Sequence, residues 1–353
     1  MTFFAKDLWP SVLAAFLISA AASRLLAYLY VKKGWCAPSR TGGAMPLTGG
    51  IGILSGFVSS LLIFWLCHRF DQLIDISFFI FSILVLGLLL PFFVLGLLDD
   101  FVHFRPLPKL LLFILAAALQ LILIFSCLIV LSFSGYSFPP SSFLLPLLVV
   151  FLLFFFANSY NFLDNANGHC AVAVLGTVLA AFFTSGTEIN EAEIAIFHLG
   201  LAASVVGFLI WNFPFKPKLY LGDAGSLFLG ALTVLMVALS RPGESHVVLE
   251  CATLLAFPLY DTCAVMFLRV LRGQNPTIGG QDHYSHRLMR GGFPLWLVNL
   301  IAFTSAGILP VLFIKLPEGA IYFGPFAVWA FLLFLDVLAA LLAKMARNSS
   351  EAD

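Results

Sequence analysis

Four short stretches hold the residues able to do chemistry in an otherwise apolar chain. In GLLDDFVHFRPLPKL, Asp99 and Asp100 stand side by side, and Lys109 follows. Adjacent carboxylates repel and resist ionisation unless a cation is near. The pair reads either as a solvated helix end or as a group that handles a metal-bound phosphate or moves a proton. Lys109 either snorkels or neutralises a phosphate. In NSYNFLDNANG, Asn158, Asn161 and Asp164 are spaced three apart, which makes one polar stripe on a helix. Asn165 and Asn167 extend the stripe and Gly168 closes it. A helix stop needs one Asn or Gly, and amide and carboxylate oxygens are what a hard cation such as magnesium takes.

In KLYLGDAGSLFLG, Asp223 sits between Gly222 and Gly225, with Ser226 next. The glycines permit close backbone approach, and a helix start offers N–H groups to an anion. In GGQDHYSHRL, His283 and His286 are three apart, with Asp282 before them and Arg287 after. The HxxH spacing fits zinc, but no third ligand stands out, and histidine with arginine suits phosphate better. In the first loop, Pro46 and Thr48-Gly49-Gly50 add a turn and a close-packing helix entry, while PSRTGG at 38–43 has the composition of a flexible loop.

The elements that must position these groups are apolar. The 353 residues are 61% hydrophobic and 10% charged, against about 25% charged in soluble domains. That leaves too little polar surface for a water-facing particle. A bilayer admits only helices or a closed barrel, and barrel strands are alternating segments of about ten residues. The apolar runs here are mostly longer and do not alternate. The expected fold is an all-α polytopic membrane protein. Spans of about twenty residues are placed at 8–31, 49–67, 76–98, 110–131, 143–157, 169–185, 194–211, 226–240, 246–268, 293–314 and 322–343. The fifth, sixth and eighth are short and are expected to extend into their neighbouring loops. No soluble linker interrupts the chain, so 1–353 is taken as one domain. The first run reads as a retained span rather than a signal peptide.

Six scattered cysteines form no CxxC pair and read as small buried hydrophobes, with neither a disulfide framework nor a zinc site expected. The net charge of zero gives no indication of nucleic acid or acidic lipid. With the loop after the first span on the cytoplasmic side, thirteen Lys and Arg fall inside and four (Lys6, Arg69, Arg241, Lys315) outside. The positive-inside rule therefore puts the N-terminus outside and the C-terminus in the cytoplasm. All four polar clusters then share the cytoplasmic face. Sharing that face, they read together as one site for a magnesium-bound diphosphate at the membrane surface, and without a Walker-type loop or GxGxxG it is not a familiar NTPase or dinucleotide site.

The order DD, then NxxNxxD…NG, then LGDAGSLFLG, then DHxxHRL, over about 46–288, resembles the polyprenyl-phosphate N-acetylhexosamine-1-phosphate transferases. The resemblance implies a bacterial inner-membrane enzyme with its active site on the cytoplasmic face. A polyprenyl (undecaprenyl) phosphate would attack the β-phosphate of a UDP-N-acetylhexosamine, releasing UMP and starting a lipid-linked envelope glycan. It implies magnesium, with manganese as the alternative. It also implies Asp223 and Asn161 as metal ligands, Asp99 and Asp100 as catalytic carboxylates with Asp99 the candidate base, and Lys109 on the diphosphate. His283, His286 and Arg287 would close over the sugar or phosphates, and Asn158, Asp164 and Asn167 would shape the nucleotide pocket. Asn165, Asn167 and His169 stand where the family commonly has Gly, often has Asp and usually has Leu, so the donor sugar stays open. The last loop lacks the triple-histidine stretch of the phospho-MurNAc-pentapeptide transferases, which favours the N-acetylglucosamine branch. The oligomeric state stays open, with a homodimer among the options, and no nucleic-acid partner is expected.

The rivals are a secondary transporter or lipid flippase and an inactive scaffold. Transporters place polar groups at the bilayer midplane, where Asp261 and Asp336 are the main acidic residues of this chain. Asp261 reads equally as a site residue or as a structural hydrogen-bonder.

Overall fold

The computed structural model describes residues 4–38, 44–68, 76–133, 144–185, 191–213, 217–240, 246–275, 280–317 and 319–350. Most of the PSRTGG stretch lies outside them, as do Arg40, Lys216, Arg69 and Arg241 from the charge count. The described chain is a helical bundle: α1 Phe4–Lys33, α2 Gly49–His68, α3 Ile76–Val102, α4 Pro106–Phe133, α5 Leu145–Leu163, α6 His169–Thr184, α7 Glu191–Asn212, α8 Gly222–Leu239, α9 Val247–Leu254, α10 Ala256–Leu271, α11 Tyr284–Arg290, α12 Leu295–Phe303, α13 Leu309–Lys315 and α14 Gly324–Ser350. A two-stranded hairpin, β1 Cys36–Pro38 and β2 Ala44–Pro46, joins α1 to α2.

Among the described residues, nine helical segments are long and apolar enough to cross a membrane. A tenth is obtained if α9 and α10 count as one bent span, and α6 is a shorter apolar helix. The chain is thus an all-α, multi-pass membrane protein. The differences from the expected spans are informative. α5 runs on to Leu163 and α8 begins at Gly222, so both short spans extend as expected. α6 does not lengthen and spans 16 residues. α3 continues to Val102, which places Asp99 and Asp100 in its last turn rather than beyond its end.

The span expected at 246–268 is broken, with a 66° bend between α9 and α10. Pro258 has no N–H to give the carbonyl of Leu254, so the helix ladder is interrupted there. Trp329 of α14 donates its indole N–H to the carbonyl of Ala256 at 3.0 Å, supplying a donor beside the break.

α1 packs against α2 and α7, and α8 lies between α3 and α5. α8 is the most buried of the span-length helices, since fourteen of its residues, from Gly222 to Val237, are buried. The outward faces of α3, α4 and α14 carry exposed Leu, Ile, Phe and Val, as a lipid-facing surface requires. Gly96 of α3 lies directly over the start of α8, where a Cβ would collide with the backbone of Asp223 and Ala224. That close approach brings Asp99 and Asp100 to Asp223.

Candidate active site

The described residues of the connections α1–α2, α3–α4, α5–α6 and α7–α8 meet at one end of the bundle. Pro46 and Gly50 tie the first to the last, because Tyr220 N–H donates to Pro46 O at 2.9 Å and Gly50 N–H to Leu221 O at 3.0 Å. Together they enclose a cavity of about 470 Å³ lined by Leu47, Asp99 to Asp100, His103 to Phe104, Asp164 to Asn167, Asn212 and Tyr220 to Asp223.

Lys109 is the hinge of the charged group. Its Nζ lies 2.6 Å from Asp99 Oδ2 and 2.8 Å from Asp223 Oδ2. The other Asp99 oxygen accepts the Phe104 N–H at 2.7 Å. Asn161 Nδ2 donates to Asp223 Oδ1 at 3.0 Å and to Ser226 Oγ at 2.9 Å. Four residues from three distant stretches of sequence thus form one chain, Asp99–Lys109–Asp223–Asn161.

Asp100 lines the same cavity but faces other partners than Asp99 does. Its Oδ1 accepts the Asp223 N–H at 2.7 Å and its Oδ2 the Ala224 N–H at 3.1 Å. It caps the start of α8, where a carboxylate meets free N–H groups and the positive end of the helix dipole. Gly222 makes this possible with φ 78°, a left-handed conformation that side-chain-bearing residues rarely adopt. Asp100 therefore holds Asp223 in place through the backbone.

Asn158 is also displaced from its expected role. Its Nδ2 donates to Phe154 O at 2.8 Å. It lines not the polar cavity but an apolar groove of about 470 Å³ between α4, α5 and α10, with Leu110, Phe113, Phe151, Phe154 and Met266. Asp164 and Asn167 do line the polar cavity.

The DHxxHR stretch is brought to the site's flank rather than into it. His283 Nδ1 lies 3.0 Å from Asp261 Oδ2, and the Tyr284 N–H gives Asp261 Oδ1 a 2.6 Å bond. Asp261 is thereby a structural hydrogen-bonder. Arg287 grips Asp336 through Nε and Nη2, both at 2.8 Å, and its Nη1 donates to Asp282 O at 2.7 Å. Neither His283, His286 nor Arg287 lines the 470 Å³ cavity. In this structure Arg287 is an anchor for α11 against α14, with its donors committed. Asp282 forms a fork with Arg269, 2.7 Å on each side, and those hydrogen bonds hold its carboxyl below the usual carboxylate range. One link leads from α11 to the cavity: Ser285 Oγ donates to Asn165 Oδ1.

Sequence reading did not single out Leu47, His103, Phe104, Asn212 or Tyr220, all on the cavity wall. His103 carries a signal only in three dimensions, the left-handed φ of 53° that no other described non-glycine residue has. Asn212 Oδ1 is buried without a hydrogen-bond partner beside the cavity, an acceptor available to a ligand.

The polar cavity has a surplus of negative charge, Asp99, Asp100, Asp164 and Asp223 against Lys109. A diphosphate would not enter it without an added cation. No group of three or more His, Cys, Asp or Glu able to hold a metal occurs among the described residues. Asp223 and Asn161 pair one carboxylate with one amide at this end of the bundle. That suits magnesium, which takes one or two protein oxygens and completes its shell with waters and substrate phosphates.

The family model of glycosyl transferase family 4 matches residues 47–241, more than half of the chain. This chain belongs to glycosyl transferase family 4. The matched segment contains Asp99, Asp100, Lys109, Asn161 and Asp223 of the cavity end. Among similar glycosyl transferases, one from Bacillus subtilis (strain 168) is described as a probable undecaprenyl-phosphate N-acetylglucosaminyl 1-phosphate transferase. It is 27% identical over 304 residues, covering 84% of this chain and 80% of that protein. An undecaprenyl-phosphate alpha-N-acetylglucosaminyl 1-phosphate transferase from Escherichia coli (strain K12) is 25% identical over 266 residues, covering 71% and 67%. One of the same name from Salmonella typhi is 24% identical over 285 residues, covering 75% and 72%.

Proposed function

We propose that this glycosyl transferase moves N-acetylglucosamine 1-phosphate from its UDP-linked donor to a polyprenyl phosphate, undecaprenyl phosphate in bacteria, on the cytoplasmic face of the inner membrane. A lipid phosphate oxygen forms a bond to the β-phosphorus of the donor. The bond from that phosphorus to the bridging oxygen breaks, and UMP leaves with the electron pair. The observation that carries this reading is Lys109 held between Asp99 and Asp223 at 2.6 and 2.8 Å, with Asn161 on the other Asp223 oxygen.

Phosphoryl transfer asks little covalent help of a protein; it needs alignment and neutralised charge. Asp223 and Asn161 would hold Mg2+, which when bound neutralises the diphosphate. Lys109 supplies a second positive charge, and Asp99 and Asp223 fix where its ammonium points. A base is not required, because a phosphate monoester is largely dianionic at neutral pH. That fits Asp99, whose oxygens are already engaged by Lys109 and the Phe104 N–H.

The apolar groove between α4, α5 and α10 offers the isoprenoid chain a path along the bundle. It opens beside the polar cluster, since Leu110 follows Lys109 and Phe162 follows Asn161. The eleven-span topology, with the N-terminus outside, is part of the same proposal. It is supported by the charge asymmetry of the loops and by the meeting of the polar loops at one end. A transporter reading finds less support, because Asp261 and Asp336 are occupied by His283, Tyr284, Tyr260 and Arg287.

The test uses membranes with undecaprenyl phosphate, magnesium and UDP-N-acetylglucosamine labelled in the sugar. Label is expected in the organic phase, with its appearance dependent on magnesium and abolished by Asp223→Asn. Label from a different UDP-N-acetylhexosamine alone would correct the sugar. No label from any such donor with folded protein would overturn the reading.

A further inference from the structure

The wall of the polar cavity at Asn165–Asn167 is held from behind by two residues outside the cavity. Asn299 of α12 donates through Nδ2 to the carbonyl of Asn167 at 2.9 Å. Its Oδ1 lies 3.0 Å from Nδ1 of His169, the first residue of α6. Both side chains are buried, with His169 0% and Asn299 2% exposed. Because Asn299 Nδ2 is the donor to Asn167, its Oδ1 is the acceptor facing His169. His169 must then carry its proton on Nδ1. The other ring nitrogen, Nε2, is buried without a hydrogen-bond partner.

That arrangement is costly for a packing residue. An apolar side chain of similar size would fill the same space against Phe257 without burying an unpaired acceptor. What histidine adds is the bond that sets the Asn299 amide the right way round, so that its N–H points at the turn. Gly168 adds to the same clamp. Its φ is 75°, and a Cβ there would lie 3.3 Å from Asn299 Nδ2. Asn299 lies beyond the segment matched by the family model, 47–241, so the cavity wall is oriented in part by the C-terminal portion of the chain.

We propose that His169 and Asn299 are positioning residues that set the affinity for the nucleotide-sugar donor by fixing the Asn165–Asn167 turn. The proposal rests on the transferase reading for the identity of the donor. The turn lies on the polar cavity and not on the apolar groove. Movement of the turn therefore changes the site of the hydrophilic substrate and leaves the lipid site alone.

The experiment measures steady-state transfer while each substrate is varied in turn, for the wild type, His169→Leu, Asn299→Leu, the double variant and His169→Asn. Asparagine at 169 retains an N–H near the place of Nδ1. Loss of one buried hydrogen bond behind the turn is expected to raise the donor KM about tenfold in His169→Leu and in Asn299→Leu. The polyprenyl-phosphate KM is expected to be unchanged and kcat to stay within about threefold. The double variant should be no worse than the worse single, because the two residues act in series. His169→Asn should recover donor affinity. An unchanged donor KM in His169→Leu, equal rises for both substrates, or no recovery in His169→Asn would overturn the proposal.

Asn299→Asp keeps the acceptor for His169 and removes the donor to Asn167. It provides the same test if the leucine variants do not fold, with a raised donor KM expected and an unchanged one overturning the proposal. Calorimetric binding of UMP and the UDP-sugar to purified protein separates the two levels. Wild type that binds nucleotide but transfers nothing would overturn the transferase reading. Weaker nucleotide binding in His169→Leu would still support the positioning role, and undiminished binding would overturn it.

Discussion

Replacing Asp100 by Asn separates a residue that holds the site from one that touches substrate. Both Asp100 oxygens are used, at 2.7 Å by the Asp223 N–H and at 3.1 Å by the Ala224 N–H. Asparagine keeps one acceptor and turns an NH2 group toward the second N–H, so one amide at the start of α8 loses its partner. A hydrogen bond to a charged group contributes about 1.5–3 kcal/mol, and a negative charge at a helix start about 0.3–1 kcal/mol more. The variant should lose about 2–4 kcal/mol, which for a chain of this size is a fall of about 2–5 °C in melting temperature. Activity should fall with it, by up to about 100-fold if Asp223 shifts by about 1 Å. The assay pairs thermal unfolding in detergent with steady-state transfer. An Asp100→Asn protein as stable as wild type but without activity would refute the capping account, because the carboxylate would then act on substrate directly.

Three other perturbations follow from the same geometry. Lys109→Met should lower kcat by about 10²–10³, the loss seen when one preorganised charge donor is removed from a transition state; kcat near wild type in steady-state transfer would contradict this. Arg287→Leu and Asp336→Leu should each destabilise by about 1–3 kcal/mol, since each leaves the other's partly buried charge without its main partner. The double variant should be more stable than either single in thermal unfolding; additive losses would contradict the pairing. The Arg269 fork depresses the Asp282 carboxyl, so its contribution to stability is present above the unfolded carboxylate pKa of about 3.9 and is lost as pH falls through the lower folded value. The stability advantage of wild type over Asp282→Asn should therefore be flat from pH 8 to 6 and shrink below about pH 4. An advantage that grows on acidification would reverse the sign.

The chemistry-bearing residues were legible because the bilayer leaves so few polar residues unexplained. Asp99, Lys109, Asn161 and Asp223 stood out in apolar surroundings, and the structure joins them in one hydrogen-bonded chain. Their division of labour was not legible. Adjacent Asp99 and Asp100 look equivalent in sequence, yet Asp100 faces the backbone of α8, which only the packing of Gly96 on α8 brings within reach. The stripe Asn158–Asn161–Asp164 suggested one face, but the helix ends at Leu163, so its members reach a groove, a carboxylate and a cavity in turn. Arg287 suggested phosphate binding because its partner, Asp336, is 49 residues away on α14. Asp336 is a charge inside an expected span and has reason to find a partner there. The break before α10 could be foreseen from Pro258, while the left-handed His103 could not.

The central claim is that a sugar phosphate, and not a sugar, is transferred. UDP-N-acetylglucosamine carrying ³H in the sugar and ³²P at the β-position tests it most directly, with the protein in membranes, undecaprenyl phosphate and magnesium. Both labels should enter the lipid at a one-to-one ratio, with UMP as the nucleotide released. Tritium in the lipid without ³²P, and UDP in place of UMP, would contradict attack at the β-phosphorus and the site assignment built on it.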